Sequence, residues 1–517
     1  MFSHGIINQY LTLSTKTAKD TQKSHEEAEL QKRMCITSDD KVVYHGLWRS
    51  RFDTDNAKVL GLLDPFVDLT GNRLYSRYNS VITQCRKIWA VLVSLPLPSV
   101  LEGTPVVIKR LFALFHQASN STGLPYDRVW NFSAGPSALP VSVLEEVQRD
   151  LLNYKGTGMS VMEMSHRSKV YDSIINGAEA TLRRVLKVPD NYAIIFMQGG
   201  GTGEFAASYL NLFACKSVRD KQRKLGRPLT CDYLVTGSWS KGGLKEVKRL
   251  GGTTNVVVDG VKDADSGAVS YNSLAPVSEW NLGKPEETAF VYYCENETIH
   301  GVETPSSLVV DAVDPSVPII CDMSSNMLSR PIDVKRFGAI IAGAQKNMGP
   351  AGVTLVIVRK DLLEREEPDT EAVRGVPSVL DWQYYASAGS MPHTPPTFAI
   401  YVCGLVFKWA EEMGIEALDQ LREARAGLVY DMMDKHPDFY RGVVDKQYRS
   451  KMNLVFNLPT KELESKFAAE AAERNMVQLK GHRSLGGIRI SLYNAMPLEG
   501  AQTFVAFMKE FYAANCQ

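Results

Sequence analysis

Charge of one sign is missing from this sequence. Lys+Arg and Asp+Glu both number 58 across 517 residues, a formal net charge of +0. Proteins that bind nucleic acid or lie on membranes usually carry a basic excess or stripe, so neither partner is expected. A long apolar run is missing too. The nearest candidate for a membrane-spanning helix, Ile88 to Leu101, falls short of the roughly 20 residues required and is broken by Pro96 and Pro98. Of eight cysteines (Cys35, Cys85, Cys215, Cys231, Cys294, Cys321, Cys403, Cys516), none forms a Cys-x-x-Cys pair. That spacing suggests neither a zinc site nor a thioredoxin-like motif, and no metal is expected. Several sit in apolar runs, such as Tyr292-Tyr293-Cys294 and Ile319-Ile320-Cys321, where cysteine acts as a small hydrophobe in a reducing compartment. The N-terminus has no basic region leading into an apolar core, so no secretory signal is read there. Its first nineteen positions hold Lys16, Lys19 and several Ser/Thr, without Asp, Glu or Arg. A cytoplasmic location is expected, with a mitochondrial or plastid leader as the alternative.

Two compositions divide the chain. Residues 1–125 alternate charged segments (Lys16 to Lys32) with apolar fragments (Val91 to Leu101) and lack sustained periodicity. They read as an extension: a targeting segment, an interaction module, or sequence that never folds. From Arg128 onward the pattern is regular. Pro140 opens a helix with Val143, Leu144, Val147 and Leu151 on one face, expected to end near Gly156. Short runs rich in β-branched and aromatic residues then alternate with helical stretches: Tyr192 to Met197, Tyr233 to Val235, Ala289 to Tyr293, Ile319 to Cys321 and Ala339 to Ala342. Buried strands spaced by helices predict an α/β domain with a mainly parallel sheet. Pro395-Pro396 leads into a helix through Trp409, and a smaller α+β unit follows. The expected boundaries are 126–412 for the large domain, whose first residues could pack on the other, and 413–517 for the small one.

Ligands of such sheets bind beyond the carboxyl ends of the strands, so residues that follow the strand-like runs carry the argument. Gln198-Gly199-Gly200-Gly201-Thr202-Gly203 precedes the helical stretch Glu204 to Leu212. Glycines admit a phosphate close to the backbone, and a helix start offers N–H groups and positive potential. The spacing matches neither a dinucleotide fingerprint nor a Walker A loop, and a tight turn reads as well. Asp322 ends another run. Its carboxylate could hold a pyridine nitrogen protonated, although capping a turn is the commoner role. Lys346 lies in Gly343-Ala344-Gln345-Lys346-Asn347-Met348-Gly349-Pro350, ahead of the run Val353 to Val358. It reads as a loop lysine or as an amine whose pKa must fall to bond a carbonyl covalently. Trp239 could stack on an aromatic ring or fill a core. His166-Arg167 and His482-Arg483 with Arg489 form two basic groups suited to a doubly anionic substrate, where solvated surface charge is the default for any one residue.

In order, these segments closely resemble the phosphoserine aminotransferases, of the class V, fold-type I pyridoxal-phosphate enzymes. The resemblance runs from about Val129 to the C-terminus. It rests on Asn131-Phe132-Ser133-Ala134-Gly135-Pro136, Gly158 to Arg167 (GMSVMEMSHR), Asn296-Glu297-Thr298, Lys480-Gly481-His482-Arg483 and Tyr493 to Gly500 (YNAMPLEG). It implies that Lys346 carries pyridoxal 5'-phosphate and shuttles a proton, that Asp322 pairs with the ring nitrogen, and that Trp239 stacks on the ring. Gly201, Thr202, Thr298 and Gln345 would hold the cofactor's phosphate and ring oxygen. His166, Arg167, His482, Arg483 and Arg489 would bind the substrate's anionic groups, with Arg489 on the α-carboxylate. It implies a homodimer with shared active sites, in which His393-Thr394 reaches the neighbouring subunit's cofactor phosphate. This sequence has His393 where the family usually has Asn, and Thr202 where many members have another, often basic, residue. The implied reaction converts phosphohydroxypyruvate and glutamate into phosphoserine and 2-oxoglutarate. Two alternatives remain: a related aminotransferase for a non-phosphorylated amino acid, and a non-catalytic cofactor-binding regulator.

Overall fold

The computed structural model describes residues 125–262, 269–365 and 375–516. The extension expected before Pro125 lies outside the described residues. The chain enters through the two-residue strand β1 (Trp130–Asn131), then helices α1 (Val141–Asp150) and α2 (Lys169–Val185). The expected end of α1 near Gly156 is corrected to Asp150. Beyond it a short turn at Tyr154–Gly156 needs left-handed backbone at Lys155 (φ 45) and Gly156 (φ 81), and the Gly158 N–H donates to Asn153 Oδ1 at 2.6 Å. Those turn contacts compete with continued helix.

A seven-stranded sheet follows, built from β2 (Tyr192–Met197), β3 (Thr230–Val235), β4 (Thr254–Asp259), β5 (Thr288–Cys294), β6 (Ile319–Asp322), β7 (Ala339–Gly343) and β8 (Thr354–Arg359). Its order is β2-β8-β7-β6-β5-β3-β4, with every pairing parallel except those of β8, which runs against both neighbours. The sheet is mainly parallel and flanked by helices, the fold-type I arrangement. Strand β4 is an element the sequence reading did not pick out. All seven residues of β5 are buried, as a strand covered on both faces requires. Val291 and Tyr293 face a core layer with Tyr171 and Leu182 of α2 and Val406 and Phe407 of a later helix. Phe290 and Tyr292 face the opposite layer, with Phe205, Leu212, Leu244 and Val247. Those four belong to α3 (Gly200–Ala214) and α5 (Ser238–Arg249), between which runs the basic helix α4 (Lys216–Leu225).

After α6 (Trp382–Ser387) and α7 (Thr397–Met413) comes α8 (Ile415–Lys435). The elements that follow include β9 (Asn453–Asn457), α9 (Lys461–Glu473), β10 (Met476–Val477), β11 (Ile488–Ser491) and α10 (Leu498–Asn515). Phe456, Phe467, Phe504, Phe507 and Phe511 fill a separate core there, joined by Trp130 and Phe132 from the start of the described chain. Strand β1 pairs in parallel with β10. The six strands that share a direction end on one edge of the sheet, and the loops after β2, β3, β5, β6 and β7 meet there.

Candidate active site

Five strand ends supply the centre. At β6, Asp322 is buried, and its Oδ1 accepts from the Ser324 N–H (2.9 Å) and Ser324 Oγ (2.6 Å). Ser324 Oγ in turn accepts from the Gly343 N–H at 2.9 Å, so the end of β7 fixes the carboxylate of β6. Its other oxygen faces α3. A Cβ built on Gly201 would stand 3.7 Å from Asp322 Oδ2, and glycine leaves that approach open. Helix α3 starts at Gly200, ahead of the expected Glu204, because Gly199 (φ 105) turns the chain through left-handed backbone and the Gly200 N–H donates to Thr354 Oγ1 at 2.8 Å. Thr202, in the first turn, is exposed.

Beyond β7 the turn carries half-buried Gln345 and buried Lys346. Ser137 pins this turn: its N–H donates to Gln345 O (3.0 Å) and its Oγ to Lys346 O (2.5 Å). Lys346 Nζ donates to Thr298 Oγ1 at 2.6 Å and lies 5.9 Å from the Trp239 ring centroid. Burial pulls the Lys346 pKa below that of an ordinary lysine, against the opposing charges of Asp322, Cys294 and Glu297 and with help from Arg489.

Trp239 opens α5 with 38% of its surface exposed, so it is not a core tryptophan. Its backbone N–H donates to Glu297 Oε2 (2.9 Å), while the Ser240 backbone N–H and Oγ donate to Glu297 Oε1 (2.8 and 2.7 Å). Glu297 therefore closes the start of α5 and ties it to Thr298. Burial raises the Glu297 pKa despite these donors. Nothing in the local sequence marks this role of Glu297 or the clamp that Ser324 forms on Asp322.

On the substrate side, Arg489 of β11 donates through Nη1 to Thr298 O at 3.3 Å, which brings it beside the Lys346–Thr298 pair. Its pKa is lowered by burial. His482 pairs Nδ1 with Ser484 Oγ at 2.7 Å, and burial, Arg489 and Arg483 together lower its pKa. Next to it in charge is His300, a residue the sequence reading did not single out. His300 Nε2 meets Ser238 Oγ at 2.9 Å, and burial followed by His482 pulls its pKa to about 4. It is thus neutral at physiological pH. Arg483 is exposed. His166 has a buried Nε2 with no hydrogen-bond partner among the described residues, and Arg167 is exposed. No hydrogen bond or ion pair among the described residues joins these two to Lys346 or Arg489. His393 lies elsewhere in the contact network: Nε2 meets Tyr385 OH at 2.5 Å, Nδ1 meets Thr394 O at 3.0 Å, and Thr394 is exposed.

The family model described as Aminotransferase class-V matches residues 129–504. The chain belongs to the class-V aminotransferases. Among curated relatives, the phosphoserine aminotransferase of Laribacter hongkongensis is 46% identical over 385 residues, 74% of this chain and 98% of that protein. Phosphoserine aminotransferase 2, chloroplastic, of Arabidopsis thaliana is 45% identical over 389 residues, 75% of this chain and 85% of that protein. The solved phosphoserine aminotransferase from Bacillus circulans subsp. alkalophilus aligns with TM-score 0.66 and 40% identity, covering 75% of this chain and 99% of that one. The PLP-bound enzyme from Trichomonas vaginalis aligns with TM-score 0.64 and 38% identity over 74% and 100%. These likenesses place this class-V member with the phosphoserine aminotransferases, which use pyridoxal phosphate. The residues present fit that group. Gly201 leaves room over the free oxygen of Asp322, the start of α3 suits a phosphate, and a buried amine with lowered pKa stands beside an accessible indole.

Proposed function

We propose that the chain catalyses reversible amino transfer between L-glutamate and 3-phosphohydroxypyruvate, giving 2-oxoglutarate and O-phospho-L-serine for L-serine biosynthesis. One observation carries this reading: Thr298 joins the amine of Lys346 through its hydroxyl and the guanidinium of Arg489 through its carbonyl. A reacting amine and a carboxylate-binding arginine are thereby held at one residue's distance. Pyridoxal phosphate, when bound, supplies the electron sink that lets bonds at the amino acid's α-carbon break and re-form.

The protein's own groups do the rest. Lys346 takes the α-proton and returns it, and burial favours the neutral amine that this transfer needs. Asp322, clamped by Ser324, holds a proton on the ring nitrogen. Gly201, Thr202, Thr298 and Gln345 hold the phosphate and ring oxygen, and Trp239 covers the ring. Arg489 takes the α-carboxylate. His166, Arg167, His482 and Arg483 take the substrate's second anionic group, in keeping with the unpartnered His166 Nε2. In a homodimer, His393 and Thr394 reach the cofactor phosphate of the neighbouring subunit, with His393 braced by Tyr385.

The division at 126–412 and 413–517 is supported by the separate aromatic core, with Trp130 and Phe132 crossing into it. No helix among the described residues is long and apolar enough to cross a membrane. A cytoplasmic location is proposed; two Arabidopsis relatives named chloroplastic keep an organelle as the alternative, and imaging of a tagged full chain separates them. The likeness to an alanine–glyoxylate aminotransferase from Nostoc, at 16% identity, is one of fold.

The test is a coupled glutamate/phosphohydroxypyruvate assay with phosphoserine, serine and alanine compared as donors in the reverse direction. Phosphoserine is expected to be preferred, and a preference for alanine refutes the substrate. Lys346→Ala is expected to lose the cofactor's visible absorbance and at least about a hundredfold in turnover. Undiminished turnover in that variant would refute the role of Lys346, whereas a wild-type protein that binds the cofactor without turnover would leave the regulator reading standing.

A further inference from the structure

Helix α3 carries, one turn beyond Gly201, a carboxyl group that the reaction does not use. Glu204 is 0% exposed. Its Oε2 accepts from Trp382 Nε1 at 3.0 Å, whereas its Oε1 has no hydrogen-bond partner among the described residues. Ser208, one turn further on, is equally buried and its hydroxyl also has none. Residues three apart share a helix face. Glu204 therefore lies on the side of α3 where a Gly201 Cβ would stand 3.7 Å from Asp322 Oδ2. A buried carboxylate with one neutral donor is poorly compensated, and a second negative charge behind Asp322 makes it worse.

Among the described residues, the groups that face Glu204 supply no counter-charge. From β6 it faces Asp322, whose charge disfavours its ionisation. From α6 it faces the Trp382 indole and Tyr385, whose phenol is committed to His393. Arg365, which meets α3 at Asn211, is engaged with Asn211 Oδ1 (2.7 Å) and Asp381 (3.4 Å). Burial, offset in part by Trp382 and reinforced by Asp322, pushes the Glu204 pKa up to about 8.

We propose that Glu204 is a positioning residue: a neutral carboxyl that joins the start of α3 to α6 through Trp382, keeps a second negative charge away from Asp322, and loosens the cofactor cradle when it loses its proton. This rests on the cofactor reading above for the cradle, though not for the proton. It also ties α3 to α6, the helix whose Tyr385 braces His393, so both phosphate-facing segments answer to one proton.

The sign of the pH effect follows from the raised pKa. Stability contributed by protonated Glu204 is fully present below the unfolded-chain pKa of 4.5, falls as pH rises, and is gone above about 8. Glu204→Gln keeps the shape and cannot ionise. In cofactor-free full-length protein, the melting temperature of Glu204→Gln relative to wild type is expected to climb by at least about 2 °C between pH 5 and 8, then level off. With pyridoxal phosphate as the probe, the ratio of wild-type to Glu204→Gln Kd is expected to rise about threefold or more from pH 7 to 9. Taking the ratio cancels the titration of Lys346, which both proteins share.

A melting difference that does not change with pH overturns the proposal, and so does a constant Kd ratio. If Glu204→Gln does not fold, an infrared titration of wild type decides. A protonated-carboxyl band absent at pH 7 overturns the proposal, and one that fades around the pKa of about 8 supports it. Failure of the cofactor reading has a different signature, since neither protein would then bind pyridoxal phosphate at any pH.

Discussion

Glu297 decides where Trp239 sits. Three donors from α5 converge on its two oxygens, and a Cβ at Gly237 would lie 2.4 Å from Glu297 Cδ, so no other residue fits the approach unless the carboxylate moves. Replacing Glu297 by Ala leaves buried donors unpaired and frees the start of the helix. The expected cost is about 3 kcal/mol, read from urea unfolding, together with weaker cofactor binding as Trp239 swings away. Glu297→Gln, which retains one acceptor oxygen, is expected to cost roughly half as much. An unchanged urea midpoint in the alanine variant would refute the capping role. Asp322 and Lys346 could be picked out in the sequence because the first ends, and the second closely follows, a run of strand-forming residues. The capping role of Glu297 could not, because its partners lie 57 and 58 positions away and no local period links them. His300 was hidden for a similar reason: its neutral state depends on His482 and on burial, neither of which a linear pattern shows.

At the scale of elements, the strands were readable where β-branched and aromatic residues run together, because strands covered on both faces need no alternation. Helix starts were less so. Glycines have low helix propensity, so the helical stretch legible in the sequence begins only at Glu204, yet the left-handed Gly199 allows α3 to begin four residues sooner, beside Asp322. The turn after β5 tests how elements hold the site. Gly301 (φ 73) returns the chain after Thr298 and His300, donates to Glu297 O at 2.8 Å, and accepts from the Ser450 N–H at 2.8 Å. A Cβ there would lie 2.7 Å from Val455 Cγ2 and 2.9 Å from Asn453 O, both on β9. Gly301→Ala combines an unfavourable backbone region with a clash against a carbonyl that cannot turn aside. A loss of about 2–4 kcal/mol is expected, with reduced turnover because Thr298 moves with the turn. Thermal melting and the coupled assay check the two effects separately. Wild-type stability in the alanine variant would show that β9 can yield.

For the whole molecule, the question is how much of the chain the enzyme needs. The 385 residues aligned with the Laribacter enzyme are 98% of that protein, and every residue proposed to hold cofactor or substrate lies from His166 to Arg489. The extension before Pro125 therefore has no counterpart in that relative's catalytic body. A chain beginning at Tyr126 retains β1, Trp130 and Phe132, so its second core stays closed. Its turnover is expected to match that of the full chain within about twofold. A chain beginning at Ala134 removes both aromatic side chains from that core and the β1 partner of β10. Each large-to-small loss in a core costs roughly 3–5 kcal/mol, so this shorter chain is expected to be insoluble or to melt well below the longer one. Solubility, melting temperature and turnover of the two truncations, measured beside the full chain, separate the outcomes. Turnover lost on cutting to Tyr126 would assign the extension a part in catalysis, whereas full stability on cutting to Ala134 would contradict the packing of Trp130 and Phe132 against Phe504 and Met476.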